Sequence, residues 1–271
     1  MWPATCVILR LLMLAAAFLP AMSGAQAVMS IRFVEGSFEA VNVAKRINVT
    51  LVGREDGDKL PGEGYARLSR NKRALADVAS GSAVCVVKAE PSVARAVVCA
   101  VEGGCLNVFA GKFKYKRTPA IEVFVICPGV VKRISGSSAS NISTRGALRT
   151  DGLAIDAGYA MSIHVSVIAP SVSVMAKDHS EVWVSGDFDR LDAELDNCSS
   201  LLMRAASCRK VSVRATNASV ATVNAAEAVD VTARGRSEVS CFAPGADTSF
   251  DCDDFSRVSL RETSEGTDAF L

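Results

Sequence analysis

Few residues in this chain are of a type and spacing that could do chemistry. The two histidines, His164 and His179, have no Gly-x-Ser-x-Gly elbow beside them, so they read as surface side chains rather than as part of a Ser-His-Asp triad. No phosphate-binding loop, dinucleotide fingerprint or His-Glu-x-x-His helix occurs. Carboxylates pose a harder test. Asp192, Glu194, Asp230 and Asp251 fall on one outward strand face of a repeat set out below. Stacked strands lie about 4.8 Å apart and alternate side chains about 7 Å apart along a strand. That spacing could hold paired carboxylates for glycoside hydrolysis, or a calcium ion. Arg214, however, falls on the rung between Glu194 and Thr232, where it can neutralise its neighbours. A solvated, partly paired charged face is the preferred reading. Trp183, outward beside Leu202, is either part of a binding patch or packed under a loop. The expectation is a protein with no catalytic residues, cofactor or metal, whose ligand face is drawn from Trp183, Asp192, Glu194, Arg214 and Asp230.

Modification chemistry is better represented. Asn48, Asn141, Asn197 and Asn217 each begin an Asn-x-Ser/Thr sequon, acceptor sites if the source is eukaryotic. Nine cysteines are present, Cys6 among the first residues and eight beyond it. None forms a Cys-x-x-Cys pair, which argues against zinc and thioredoxin-like chemistry. An even count permits disulfides of unreadable connectivity, and buried thiols packed as small apolar residues are the alternative.

The address is written at the N-terminus. Arg10 precedes the apolar run Leu11 to Leu19, Pro20 breaks it, and Ala25-Gln26-Ala27 follows. This order reads as a signal peptide spanning residues 1–27; the run is short of the ~20 residues that span a bilayer. Cleavage there removes Arg10 and leaves basic and acidic side chains equal in number. Such a balance disfavours nucleic acid or an anionic membrane as the partner. The expected setting is secreted or cell-surface, with no transmembrane segment in the mature chain and a polar tail over residues 263–271.

Positioning falls to strands. Aromatics make up 6% of the chain, and a core of small and β-branched residues suits stacked strands. Residues 28–130 read as an N-terminal β region: Ile47, Val49 and Leu51 alternate with polar residues, and Val84–Val87, Ala94–Val101, Leu106–Phe109 and Ile121–Ile126 are strand candidates. Gly53–Gly64 reads as a loop and Tyr65–Ala79 as a short helix.

Residues 131–262 carry an internal repeat. Met161, Ser180, Ser199, Ser219, Ser237 and Ser256 recur at spacings of 19, 19, 20, 18 and 19 residues. Two and four residues after each anchor stand small or apolar side chains, such as Val182 and Val184, and eight and six residues before it stand pairs such as Val211 and Val213. The last pairs are Thr248 with Phe250 and Val258 with Leu260. Each unit is thus two period-two strands sharing one inward face. Asp178, Asn197, Asn217, Gly235 and Asp254 precede the serines by two, and all tolerate positive φ. Units this small must stack to build a core, which predicts an all-β solenoid.

These features resemble the GIN domain family, the head domain of auto-transporter adhesins. The likeness rests on Phe38-Glu39-Ala40-Val41-Asn42-Val43, Ile47-Asn48-Val49-Thr50-Leu51-Val52, Ile121-Glu122-Val123-Phe124-Val125-Ile126, Ile134-Ser135-Gly136-Ser137 and the 19-residue repeats. It implies a right-handed β-helix-like fold in an exported or surface setting, with the N-terminal strands capping the solenoid. It implies an unknown glycan or protein as partner, and supplies no catalytic residue. The competing reading is a carbohydrate-active enzyme working through the outward carboxylates.

Overall fold

A computed structural model describes residues 28–52, 83–111, 121–127 and 129–261. The protein is nearly all-β, 3% helical, and winds as a β-solenoid of about 7 turns with ~19-residue spacing. In chain order the strands begin with β1 (Val28–Val34), β2 (Ala40–Ala44), β3 (Asn48–Val52) and β4 (Ala83–Ala89). Helix α1 (Pro91–Ala96) leads into β5 (Val97–Glu102), β6 (Cys105–Ala110) and β7 (Glu122–Ile126). Then come β8 (Arg133–Gly136), β9 (Asn141–Arg145), β10 (Leu148–Arg149) and β11 (Leu153–Ala157). The long strands β12 (Ser162–Ala176) and β13 (Glu181–Leu195) precede β14 (Ser200–Ser207), β15 (Lys210–Ala215) and β16 (Val220–Asn224). Last are β17 (Ala228–Ala233), β18 (Glu238–Phe242), β19 (Asp247–Cys252) and β20 (Arg257–Arg261).

Two compact units result, one drawn from Met1–Val131 and Ser140–Leu148, the other from Lys132–Ala139 and Arg149–Leu271. In the first, β3 lies parallel between β7 and β9, and β2 lies parallel to β6. Antiparallel strands flank these rungs: β4 pairs with β7, β1 with β4, and β5 with β6. Val41, Val43, Leu51, Leu106, Val123 and Ile142 are buried between the rungs. The segment Ala94–Val101 is not one strand. Pro91 starts a six-residue helix, where its fixed φ and missing N–H are tolerated, and the strand begins only at Val97. The expected loop at Gly53–Gly64 and helix at Tyr65–Ala79 lie outside the described residues.

The second unit shows the repeat as read. β8, β11, β12, β13, β15, β17 and β19 stack in parallel register, and so do β12, β13, β14, β16, β18 and β20. The inward pairs from Leu153 and Ile155 to Val239 and Cys241 are buried. The final rung differs. Thr248 and Phe250 are exposed, Val258 is half-buried and Leu260 is exposed. A rung is buried by a neighbour on each side, and among the described residues β19 and β20 have one on one side only.

Corners explain the Ser anchors. Five of these corners place two consecutive residues in left-handed backbone: Tyr159–Ala160, Asp178–His179, Asn197–Cys198, Asn217–Ala218 and Gly235–Arg236; the last corner departs from expectation, Asp254 not being left-handed. This turns the second residue's N–H along the stack, where it donates to the carbonyl of the next corner. Cys198 N reaches Asn217 O at 2.9 Å and Ala218 N reaches Gly235 O at 2.8 Å. The ladder therefore runs unbroken through the turn. Each buried Ser then closes its own corner, its hydroxyl donating three residues back: Ser180 to Lys177 O, Ser199 to Asp196 O and Ser219 to Thr216 O, all at 2.6 Å. A buried carbonyl left unpaired would be costly.

Candidate functional site

Two period-two strands per turn leave two outward faces, and strand register assigns every side chain on them. On the first, Ser173, Asp192, Ser212, Asp230 and Ser249 form one column. Beside it Met175, Glu194, Arg214, Thr232 and Asp251 form a second. Four of the five expected ligand-face residues thus share this face, with Arg214 between Glu194 and Thr232. An open groove of about 480 Å³ runs over the first column, lined by Arg190, Asp192, Lys210, Ser212, Asp230 and Asp247.

The charge pairing differs from expectation, the ion pairs on this face being made by Arg190 and Arg234 rather than by Arg214. Asp192 is held by Arg190, two residues away on the same strand and face, through Nε at 2.7 Å and Nη2 at 2.9 Å. This two-pronged bond raises the Arg190 pKa further. The signal was an outward i, i+2 pair of opposite charge, which a rung-to-rung reading passes over. Asp251 is paired likewise, with Arg234 Nη2 at 2.5 Å, and that bond lowers the Asp251 pKa. Both carboxylates stand in solvent, as do Glu194 and Asp230.

Trp183 lies on the other outward face, in the column His164, Trp183, Leu202, Thr222, Ser240. His164 stacks on it with centroids 4.8 Å apart and planes 9° from parallel, and Arg204 sits over the ring at 5.4 Å. Its Nε1 donates to Glu181 Oε1 at 2.5 Å. Neighbouring rungs thus occupy the faces of the ring, and no loop is needed to cover it. The structure does not bring Trp183 together with the carboxylates.

Of the modification residues, Asn48 and Asn141 are exposed and directly adjacent on β3 and β9. Asn197 and Asn217 occupy corners, donating to Asp178 Oδ1 at 3.0 Å and Asp196 Oδ1 at 2.7 Å. No disulfide joins the eight cysteines from Cys85 to Cys252. Among the described residues, no group of three or more His, Cys, Asp or Glu is placed to hold a metal ion.

A family model described as "Putative auto-transporter adhesin, head GIN domain" matches residues 64–243. The chain belongs to the GIN-domain family. Solved structures carry the same fold as this GIN-domain protein. A putative adhesin from Bacteroides fragilis is 14% identical with a TM-score of 0.69, covering 88% of this chain and 98% of its own. A putative adhesin from Parabacteroides distasonis is 10% identical with a TM-score of 0.64, over 88% and 98%. A putative lipid binding protein from the same species is 13% identical with a TM-score of 0.54, over 89% and 98%. No curated protein matches the GIN-domain chain in sequence.

Proposed function

We propose that the protein is an exported, cell-surface binding module that performs no chemistry on its ligand. Its ligand, a surface glycan or a protein, lies in the groove over Asp192, Ser212 and Asp230. One observation carries this reading: the carboxylates of the groove face stand in solvent, and Asp192 is already held by Arg190. A glycosidase needs a carboxyl group whose surroundings raise its pKa, usually by burial. Asp192 and Asp230 are two rungs apart, roughly 10 Å; Asp230 is exposed, and the partly exposed Asp192 is bonded to Arg190. Alternating Asp and Ser at rung spacing, with Lys210 in the neighbouring column, instead offers a row of donors and acceptors for hydroxyls or peptide groups.

The family and its fold relatives named as adhesins support a surface setting. Among the described residues, no helix is long and apolar enough to cross a membrane. Export by a leader ending at Ala27 gives a mature chain starting at Val28, and Asn48, Asn141, Asn197 and Asn217 are acceptor sites in a eukaryotic host.

The test is a glycan array and a protein pull-down with the secreted chain. Ser212→Trp, which fills the groove, should abolish binding without changing Tm. Asp192→Asn and Glu194→Gln should leave binding within a few-fold and reveal no turnover. Polysaccharide cleavage that either substitution abolishes at unchanged Tm would establish the carbohydrate-active enzyme instead.

A further inference from the structure

The second unit ends on a rung that keeps the sequence pattern of an interior one. On β19, Thr248 and Phe250 continue the inward columns of Val229 and Val231; on β20, Val258 and Leu260 continue those of Val239 and Cys241. Among the described residues no strand pairs with their far edges, and Phe250 and Leu260 are 40% and 44% exposed. The backbone is open in the same place. The amides of Asp247 and Arg257 donate back into the stack, to Glu227 O and Ser237 O, both at 2.9 Å. Successive residues of a strand aim their N–H and C=O at opposite edges. Thr248, Phe250, Val258 and Leu260 therefore aim theirs away from the stack.

The two strands of this rung carry opposite charge. Outward on β19 stand Asp247, Ser249 and Asp251, and outward on β20 stand Arg257, Ser259 and Arg261. Asp251 is held from the preceding rung by Arg234, and Arg257 follows Glu238 in its column. Each of these side chains thus has a rung on one side only. The rung is an acidic strand and a basic strand of matching length and spacing.

We propose that this rung is a two-fold interface between two copies of the chain, β19 of each pairing antiparallel with β20 of the other. One register meets every requirement at once. With Ser249 opposite the partner's Ser259, Asp247 meets the partner's Arg261 and Asp251 meets the partner's Arg257. The same register sets Thr248 against the partner's Leu260 and Phe250 against the partner's Val258. These are the residues whose backbone groups are unused, and each such pair exchanges two N–H···O bonds. Their side chains also share the inward face and close the apolar columns. A slip of two residues keeps the backbone bonds but sets Asp against Ser, and a slip of one turns inward residues outward. The other two-fold arrangement, β19 upon β19, sets Asp directly against Asp. A contact in which each patch binds its own copy closes at two chains. The proposal goes beyond the groove reading and does not rest on it.

The test is sedimentation velocity of the full secreted chain across the micromolar range, with amide exchange followed at each concentration. A dimer is expected, with Thr248, Phe250, Val258 and Leu260 protected in it and exchanging faster on dilution. Arg257→Asp with Arg261→Asp sets acid against acid and should weaken the dimer about 100-fold or more. Asp247→Arg with Asp251→Arg should do the same. Mixing the two variants restores both strand pairs, so a one-to-one heterodimer should form. A dimer that both variants retain, or one whose four amides stay unprotected, places the contact elsewhere and overturns the proposal. A monomer throughout also overturns it; protection that does not change with concentration would then show that residues 262–271 cover the rung. Species that grow beyond the dimer would mean head-to-tail association and overturn it too. The wild-type exchange map decides even if a variant fails to fold.

Discussion

Ser237 links two corners: its Oγ accepts the Ser219 amide at 3.3 Å and donates to Arg234 O at 2.8 Å. Ser237→Ala therefore strands a buried N–H and a carbonyl together. The expected loss is about 1–3 kcal/mol, read as a lower Tm. Ser212→Ala, on the outward face, should stay within about 0.5 kcal/mol of wild type.

Gly186 has φ +110° at a bulge in the β13–β14 register, and a Cβ there would sit 2.0 Å from Val167 O. The neighbour is backbone and cannot step aside. Gly186→Ala should destabilise by about 3 kcal/mol or more, measured by chemical denaturation.

Val231 is fully buried and its chain neighbour Thr232 faces outward between Arg214 and Asp251. Val231→Asp buries an unpaired charge and should cost about 3 kcal/mol or more. Thr232→Asp should be nearly neutral. Equal melting temperatures for the two would show the face assignment to be wrong.

Lys88 is buried and bonded to Glu122 at 2.9 Å across the β4–β7 pair. Glu122→Ala leaves that ammonium without its carboxylate, and a loss of roughly 3 kcal/mol is expected. Replacing both, as Lys88→Met with Glu122→Leu, should recover much of the lost Tm.

Hydrogen bonds from Thr216 and Asn217 hold the Asp196 carboxyl below its ordinary 3.8. A lowered carboxylate contributes stability that is complete above the unfolded value and is lost as pH falls through the folded one. Tm should therefore decline below about pH 4, and Asp196→Asn should show a shallower acid limb across pH 2–5.

The parts of the fold legible in the sequence were those where geometry restricts residue type. Period-two burial selected Val and Leu at the inward positions, and the first left-handed residue selected Asp, Asn or Gly at the corners of Asp178, Asn197, Asn217 and Gly235, with Tyr159 the exception. The second left-handed position was not legible. His179, Cys198, Ala218 and Arg236 have little in common, because the ladder bond made by the backbone N–H there serves any side chain. Phe250 and Leu260 read as inward because the pattern reports the face of a strand and not the presence of a covering rung. Four of five candidate face residues fell together because register follows from the repeat. Trp183 belongs to the other strand of the turn, and its His164 neighbour was visible only as an outward residue.

The position of β3 between β7 and β9 bears on how the chain can be made. Thr50 Oγ1 meets Ser143 Oγ at 3.3 Å across a separation of 93 residues. At the usual pace of translation of about 5–20 residues per second, β3 waits roughly 5–20 s for its second neighbour. During that interval one edge of β3 is open to any other chain, since its pairing with β9 cannot begin before β9 exists. Both neighbours of β3 come from later in the chain, so its sheet cannot close until residues as far as Ser143 have been made.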